Sequence, residues 1–264
     1  MGDETAPAET LALTPALISV KPGPYNPLDI AHLGESIGTA LLTAEPTRLD
    51  LLPKFYGAGV YAIYYTGNDA PYETLGAANR NGAFTTPIYV GKAVPDGARK
   101  GVAVATASGG RALSGRLSNH AVSVSQATNL KIEDFWARWL VTEAIWIPLG
   151  EGLLISRFAP VWNALVDGFG NHAPGAGRVD GALSRWDTLH PGRSSTPRGS
   201  TEPVLWSDAY KARDETPGDL EQLVRTELGR RVIDAAPTPN DSRPIVEFEG
   251  DPAVASHTPK PSSH

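Results

Sequence analysis

The sequence predicts an α+β fold. Two runs rich in β-branched and aromatic residues, 59–65 (Gly-Val-Tyr-Ala-Ile-Tyr-Tyr) and 88–92 (Ile-Tyr-Val-Gly-Lys), are bounded by Gly and Pro and read as strands. Apolar residues recur at helical spacing in the segments around them. Polar, Pro-rich stretches close both ends of the 264-residue chain and mark extensions around a packed centre.

Residues 1–24, rich in Pro, Ala, Thr and Glu, are expected to be a loosely packed or disordered tail. Pro27-Leu28-Asp29 then opens a helix, with Asp29 as N-cap and Ile30, Leu33, Ile37 and Leu41 on one apolar face. The two strands follow, separated by a polar stretch from Thr66 to Pro87 that is too long for a tight hairpin. A helix is expected over 111–124, with Leu113, Leu117 and Val124 on one side, and a third strand over 135–142. A second helix at 150–159 follows Pro148-Leu149-Gly150 and is stopped by Pro160, whose ring clashes with the preceding turn. Residues 167–178 form a Gly-rich loop. A C-terminal helix at about 219–233 carries Leu220, Leu223, Val224, Leu228 and Val232 at helical spacing, and disorder is expected from Pro237 onward. The predicted organisation is a tail (1–24), one domain (25–198), a helical extension (199–235) and a second tail (236–264).

Composition narrows the function. Six Trp, eight Tyr and six Phe are ample for a core. No apolar run reaches the length of a membrane span, and the acidic Gly2-Asp3-Glu4 start does not resemble an export signal. Cys is absent, which excludes disulfides, thiol nucleophiles and Cys-ligated zinc and fits an intracellular protein. The net charge of −6 argues at first against a nucleic-acid partner. Its distribution reverses that reading, because residues 51–198 carry fourteen Lys/Arg against ten Asp/Glu and the flanks hold the acidity.

Several side chains carry possible chemistry. Glu151 stands among large apolar residues and would share a helix face with Ile155, Phe158 and Trp162 if the turn continued. A buried carboxylate needs a partner, so Glu151 either occupies an exposed first turn, favoured by the helix dipole, or binds a cation. Arg116 and His120, four apart, project from one side of their helix. They form either a solvated flank or a pair suited to holding and transforming a phosphate. Alternation sends Tyr61 and Ile63 to one face and Val60 and Ala62 to the other; Tyr89 and Gly91 share a face, with Lys92 opposite. Strand tyrosines taken singly are ordinary core residues. The Pro174-Gly175-Ala176-Gly177-Arg178 run lacks the Gly-Lys-Ser/Thr ending of a phosphate-cradling loop.

Together, Gly59-Val60-Tyr61 and Tyr89-Val90-Gly91 resemble the tripeptide pair that names the GIY-YIG nucleases, with Val for Ile in both. A helix with Arg116 and His120, a helix with Glu151, and then Pro160 and Asn163 follow in the family's order. The stretches 57–67, 87–95, Trp162-Asn163 and 166–178 resemble the type II restriction branch, and within it the enzymes that cut CCGCGG. The resemblance covers roughly residues 25–195. It has no counterpart for the small-residue stretch 101–110 or for the chain beyond 199.

The resemblance implies a small antiparallel sheet flanked by helices and site-specific hydrolysis of double-stranded DNA. It implies one Mg²⁺ per site, held by Glu151 with water and phosphate oxygens. Tyr61 would be the general base, which requires positive charge nearby from Lys92, the cation or Arg116. His120 is the rival base, or the group that orients or deprotonates Tyr61. Arg116 would stabilise charge on the phosphoryl oxygens, Tyr89 would bond the scissile phosphate or its water, and Asn163 would brace the site or contact phosphate. A palindromic target implies a homodimer. Arg178 and Arg193 are candidate base readers, and Asn171 and His172 either read bases or build the turn. A cognate DNA methyltransferase and a prokaryotic, cytoplasmic setting are implied as well. The alternatives are a GIY-YIG enzyme of the homing or repair kind and a catalytically silent DNA-binding protein on the same scaffold.

Overall fold

A computed structural model describes residues 30–94, 110–171, 181–197 and 199–235. Asp29 as N-cap, both expected tails, and the part of the Gly-rich loop containing His172 and Arg178 lie outside the described residues.

In chain order the elements are α1 (Ile30–Leu42), β1 (Thr47–Arg48), β2 (Gly59–Tyr65), α2 (Glu73–Asn79), β3 (Tyr89–Ala93), α3 (Ala112–Gln126), β4 (Phe135–Val141), α4 (Ile147–Phe158), α5 (Val161–Ala164), α6 (Arg185–Leu189), β5 (Ser194–Ser195), β6 (Val204–Leu205), α7 (Trp206–Ala209) and α8 (Pro217–Ala235). The class is α+β. β1, β4, β2 and β3 lie side by side in that order, every pairing antiparallel, and β5 pairs with β6 in a separate two-stranded ribbon.

β2 is central and buried along its whole length because both faces of the sheet are covered. Period-two alternation sends Tyr61, Ile63 and Tyr65 into one core with Leu113, Leu117 and Val124 of α3, and Leu220, Val224 and Leu228 of α8 complete that core. Val60, Ala62 and Tyr64 enter the other, against Leu41 of α1 and Ile147 and Leu154 of α4. The C-terminal helix thus shares the core of the sheet rather than standing apart from it.

β3 is an edge strand, and its outer margin is covered by α5. Trp162 N donates to Ile88 O at 3.0 Å. Asn163 behaves as a strand partner: its Oδ1 accepts from Val90 N and its Nδ2 donates to Val90 O, both at 2.8 Å. This satisfies backbone groups that an open edge would leave to solvent or to another chain.

The polar stretch after β2 contains a helix, α2, that the sequence pattern does not disclose. Asn79 at its end is fully buried, donates to Tyr65 O and Thr86 O at 3.0 and 2.8 Å, and accepts from Thr86 N at 3.0 Å. One amide side chain therefore staples both ends of the insertion to the sheet.

The expected start of α4 is corrected. The helix begins at Ile147 rather than 150, with Pro148 inside its first turn, where the missing N–H would have no partner anyway. Glu151 consequently lies beyond the first turn and cannot be read as a dipole-stabilising first-turn acid. Its end is as expected: the turn stops before Pro160 and does not continue to Trp162. Ala159 caps α4 in a left-handed conformation (φ 40°), Pro160 restarts the chain as α5, and Trp162 enters the core on the other face of the sheet from Ile155 and Phe158.

Candidate active site

The site forms where β2 and β3 run side by side with α3 on one face and α4 on the other. Tyr61 stands directly opposite Gly91 in the β2–β3 register, and Tyr89 lies two residues along β3 on the same face. A Cβ at Gly91 would overlap the Tyr61 hydroxyl and crowd the Tyr89 ring, so only glycine lets the phenol lie across the strand.

His120 of α3 is 2% exposed and meets the Tyr61 hydroxyl through Nε2 at 2.6 Å. The alternative of a solvated helix flank therefore fails for this residue. The rings of Tyr61, Tyr89 and His120 form a triangle with centroids 5.2–6.2 Å apart. Arg116, one turn earlier on α3, donates through Nη2 to Gly170 O and lies close enough to both phenols to bias their ionisation.

Burial pushes the Tyr61 phenol well above its ordinary value, the neighbouring Tyr89 adds to the rise, and Arg116 pulls the other way. Burial also raises Tyr89, with Arg116 lowering it and the Glu151 carboxylate raising it. Left to its surroundings, Tyr61 stays protonated, so any role as a base needs a proton acceptor. His120 Nε2 meets its hydroxyl, alongside Arg116 and Tyr89.

On the opposite face of the same edge strand, Lys92 Nζ pairs with Glu151 Oε2 at 2.6 Å, the two side chains being 40% and 20% exposed. This corrects the notion that Lys92 supplies the charge acting on Tyr61. Strand alternation turns Lys92 toward α4, and the cation that acts on the phenols is Arg116. Glu151 still influences Tyr89, so both faces converge at the margin of β3. Asn163 touches the site through Val90, between Tyr89 and Gly91.

Beside Arg116 and His120 opens a cleft of about 340 Å³, lined also by Asn119, Ser123, Phe169 and Asn171. Asn171 is exposed there. Arg193 also lines this cleft, but its guanidinium is taken up by the protein itself. It is 3% exposed, its guanidinium bonds Asp187 at 2.6 and 2.7 Å, and it lies between the rings of Trp186 and Trp206.

Sequence reasoning missed Phe169, whose ring stacks on His120 with centroids 4.4 Å apart and planes 20° apart. A lone Phe between two glycines carries no periodic signal. It also missed a chain, buried except at its Asn129 end, in which Trp162 Nε1 donates to the Tyr72 hydroxyl at 2.8 Å. That hydroxyl meets His190 Nε2 at 2.8 Å, and His190 Nδ1 meets Asn129 Oδ1 at 3.1 Å. These residues are too far apart in sequence for any spacing to link them.

Among the described residues, no three His, Cys, Asp or Glu side chains gather as a metal cluster. A lone, partly exposed carboxylate fits a hard cation that keeps most of its water, and Glu151 is such a group.

Among the described residues, no helix is long and apolar enough to cross a membrane. No curated protein matches the sequence. The profile of the Eco29kI GIY-YIG domain matches residues 53–215, more than half of the chain, and spans the sheet from β2 onward and every candidate residue named above. The chain belongs to the Eco29kI family of GIY-YIG restriction endonucleases.

Proposed function

We propose that the protein is a Mg²⁺-dependent type II restriction endonuclease that hydrolyses both strands of a palindromic DNA site, with CCGCGG as the target. One observation carries the reading: a buried phenol–imidazole pair, Tyr61 and His120 at 2.6 Å, lies beside the Arg116 guanidinium, next to an edge strand whose Lys92 pairs with Glu151 of α4.

The geometry supports a role for each residue. Tyr61 takes a proton from the attacking water as its own hydroxyl proton passes to His120 Nε2. This lets a phenol raised by burial act as a base without first becoming a free phenolate. Arg116 offers paired donors to phosphoryl oxygens as charge builds on them. Tyr89, whose ionisation both Arg116 and Glu151 influence, bonds the scissile phosphate or its water, and Lys92 orients Glu151. Asn163 fixes the strand carrying Tyr89 and Lys92. Glu151 would hold the divalent cation, which when bound supplies positive charge at the phosphodiester.

The cleft beside Arg116 and His120, with Asn119, Ser123 and exposed Asn171 on its walls, supports the passage of DNA over this face. A palindromic target calls for two copies about a two-fold axis, one active site per strand. A cognate methyltransferase would protect the host's own sites. Digestion of plasmid DNA with Mg²⁺, followed by sequencing of the ends, tests this reading. Discrete fragments with common ends inside CCGCGG are expected. A smear or uncut DNA would overturn it.

A further inference from the structure

Three consecutive backbone carbonyls in the turn after α5 are each taken by an arginine. Arg193 donates through Nη2 to Gly168 O at 2.9 Å and through Nη1 to Phe169 O at 3.1 Å, and Arg116 donates to Gly170 O. Arg193 precedes β5 and is itself held on every side. Its Nε and Nη2 bond the two carboxylate oxygens of Asp187, and its Cζ lies 4.7 and 3.9 Å from the ring centroids of Trp186 and Trp206. Asp187 is oriented in turn by Ser184 Oγ at 2.6 Å.

The turn held in this way packs on the reacting groups. Phe169 stacks on His120 and meets Tyr89 edge-on at 5.0 Å, and Gly170 lies so close to Tyr89 and Arg116 that a Cβ there would crowd both. A buried ion pair is weak evidence for a stabilising role, because apolar side chains of similar volume stabilise a core as well or better. What this guanidinium provides is a rigid fork that spans a carboxylate and two carbonyls at once, which no apolar residue and no ammonium group can do.

We propose that Arg193 is a positioning residue of the nuclease. Through the 168–170 turn it sets the His120 ring against Tyr61 and fixes the Arg116 guanidinium at the edge of the cleft. The proposal rests on the roles given above to Arg116 and His120.

Single-turnover cleavage and metal-free binding of a CCGCGG duplex, measured on the full chain, test it. Arg193→Lys keeps the charge but loses the fork. Cleavage is expected to slow about 100-fold, the scale of an ångström-sized misplacement. Affinity for the duplex should stay within about threefold, because the change removes an effect felt in the chemical step. Phe169→Leu, which leaves Arg193 and its partners intact, should slow cleavage in the same way. The double variant should be no slower than the slower single, since both act through one turn. Wild-type cleavage by folded Arg193→Lys would overturn the proposal, as would additive losses or a fall in affinity matching the fall in rate. If Arg193→Lys does not fold, wild-type cleavage by Phe169→Leu would overturn it alone. Arg116→Ala separates the two levels. If it too cleaves normally, the site assignment fails. If it is inactive while Arg193→Lys is normal, only the clamp fails.

Discussion

At the scale of single residues, burial and a few named neighbours set the state of each phenol in the site. Glu151 is balanced by Lys92 on one side and felt by Tyr89 on the other. Removing its carboxylate leaves no comparable acid cluster among the described residues to replace it. Glu151→Ala is therefore expected to abolish Mg²⁺-dependent cleavage while metal-free duplex binding persists. Cleavage retained in a fragment assay would remove Glu151 from its role. Gly91 is equally constrained, by shape rather than charge. Gly91→Ala drives a methyl group into the Tyr61 hydroxyl, so cleavage is expected to fall by at least about 10-fold, as misplaced catalytic groups do. An unchanged single-turnover rate would show that the phenol is free to move.

At the scale of elements, the edge strand matters most, because β3 carries Tyr89, Gly91 and Lys92 and is held from outside by α5. Asn163→Ala would leave both polar groups of Val90 without their partner. A loss of about 1–3 kcal/mol in urea unfolding is expected for such orphaned groups. An unfolding midpoint equal to the wild type would show that solvent or a neighbour replaces the amide. The strands were legible in the sequence, since period two assigned Tyr61 and Val60 to opposite faces and those faces carry different cores. The helices bearing Arg116, His120 and Glu151 were legible too, although the start of α4 was not. Pro148 looks like a boundary from outside and serves as a first-turn residue from inside. α2 and Asn79 stayed hidden because the helix is short and lies in a polar stretch. The burial of Arg193 was not legible, because an arginine in a Ser- and Gly-rich segment resembles an exposed one. Its burial depends on Trp186, Asp187 and Trp206, which only the fold brings around it.

At the scale of the whole molecule, one aromatic core ties the sheet to α6 and α8, and a histidine lies inside it. Burial pushes the His190 imidazole down to about 3, so it stays neutral in the folded protein at pH values where the unfolded chain is protonated. Stability from this group is complete above about pH 6.5, its unfolded value, and is lost as pH falls toward the folded value, at up to about 1.4 kcal/mol per pH unit. Urea unfolding of His190→Gln at pH 7 and pH 5 should show a correspondingly shallower loss than the wild type. Identical slopes would place the acid sensitivity elsewhere. The family domain begins at residue 53, after α1, and ends at 215, before α8. Both helices nevertheless pack on the sheet's two cores, α1 through Leu41 and α8 through Leu220, Val224 and Leu228.

The most direct test of the account is the single-turnover cleavage rate of Tyr61→Phe on a CCGCGG duplex with Mg²⁺, beside its affinity for the same duplex. The substitution removes one hydroxyl that lies 2.6 Å from His120 and leaves the ring in its core. Loss of a general base should slow the chemical step by about 10²–10⁴-fold with affinity unchanged. Cleavage at the wild-type rate would contradict the claim that this buried phenol handles the proton of the attacking water.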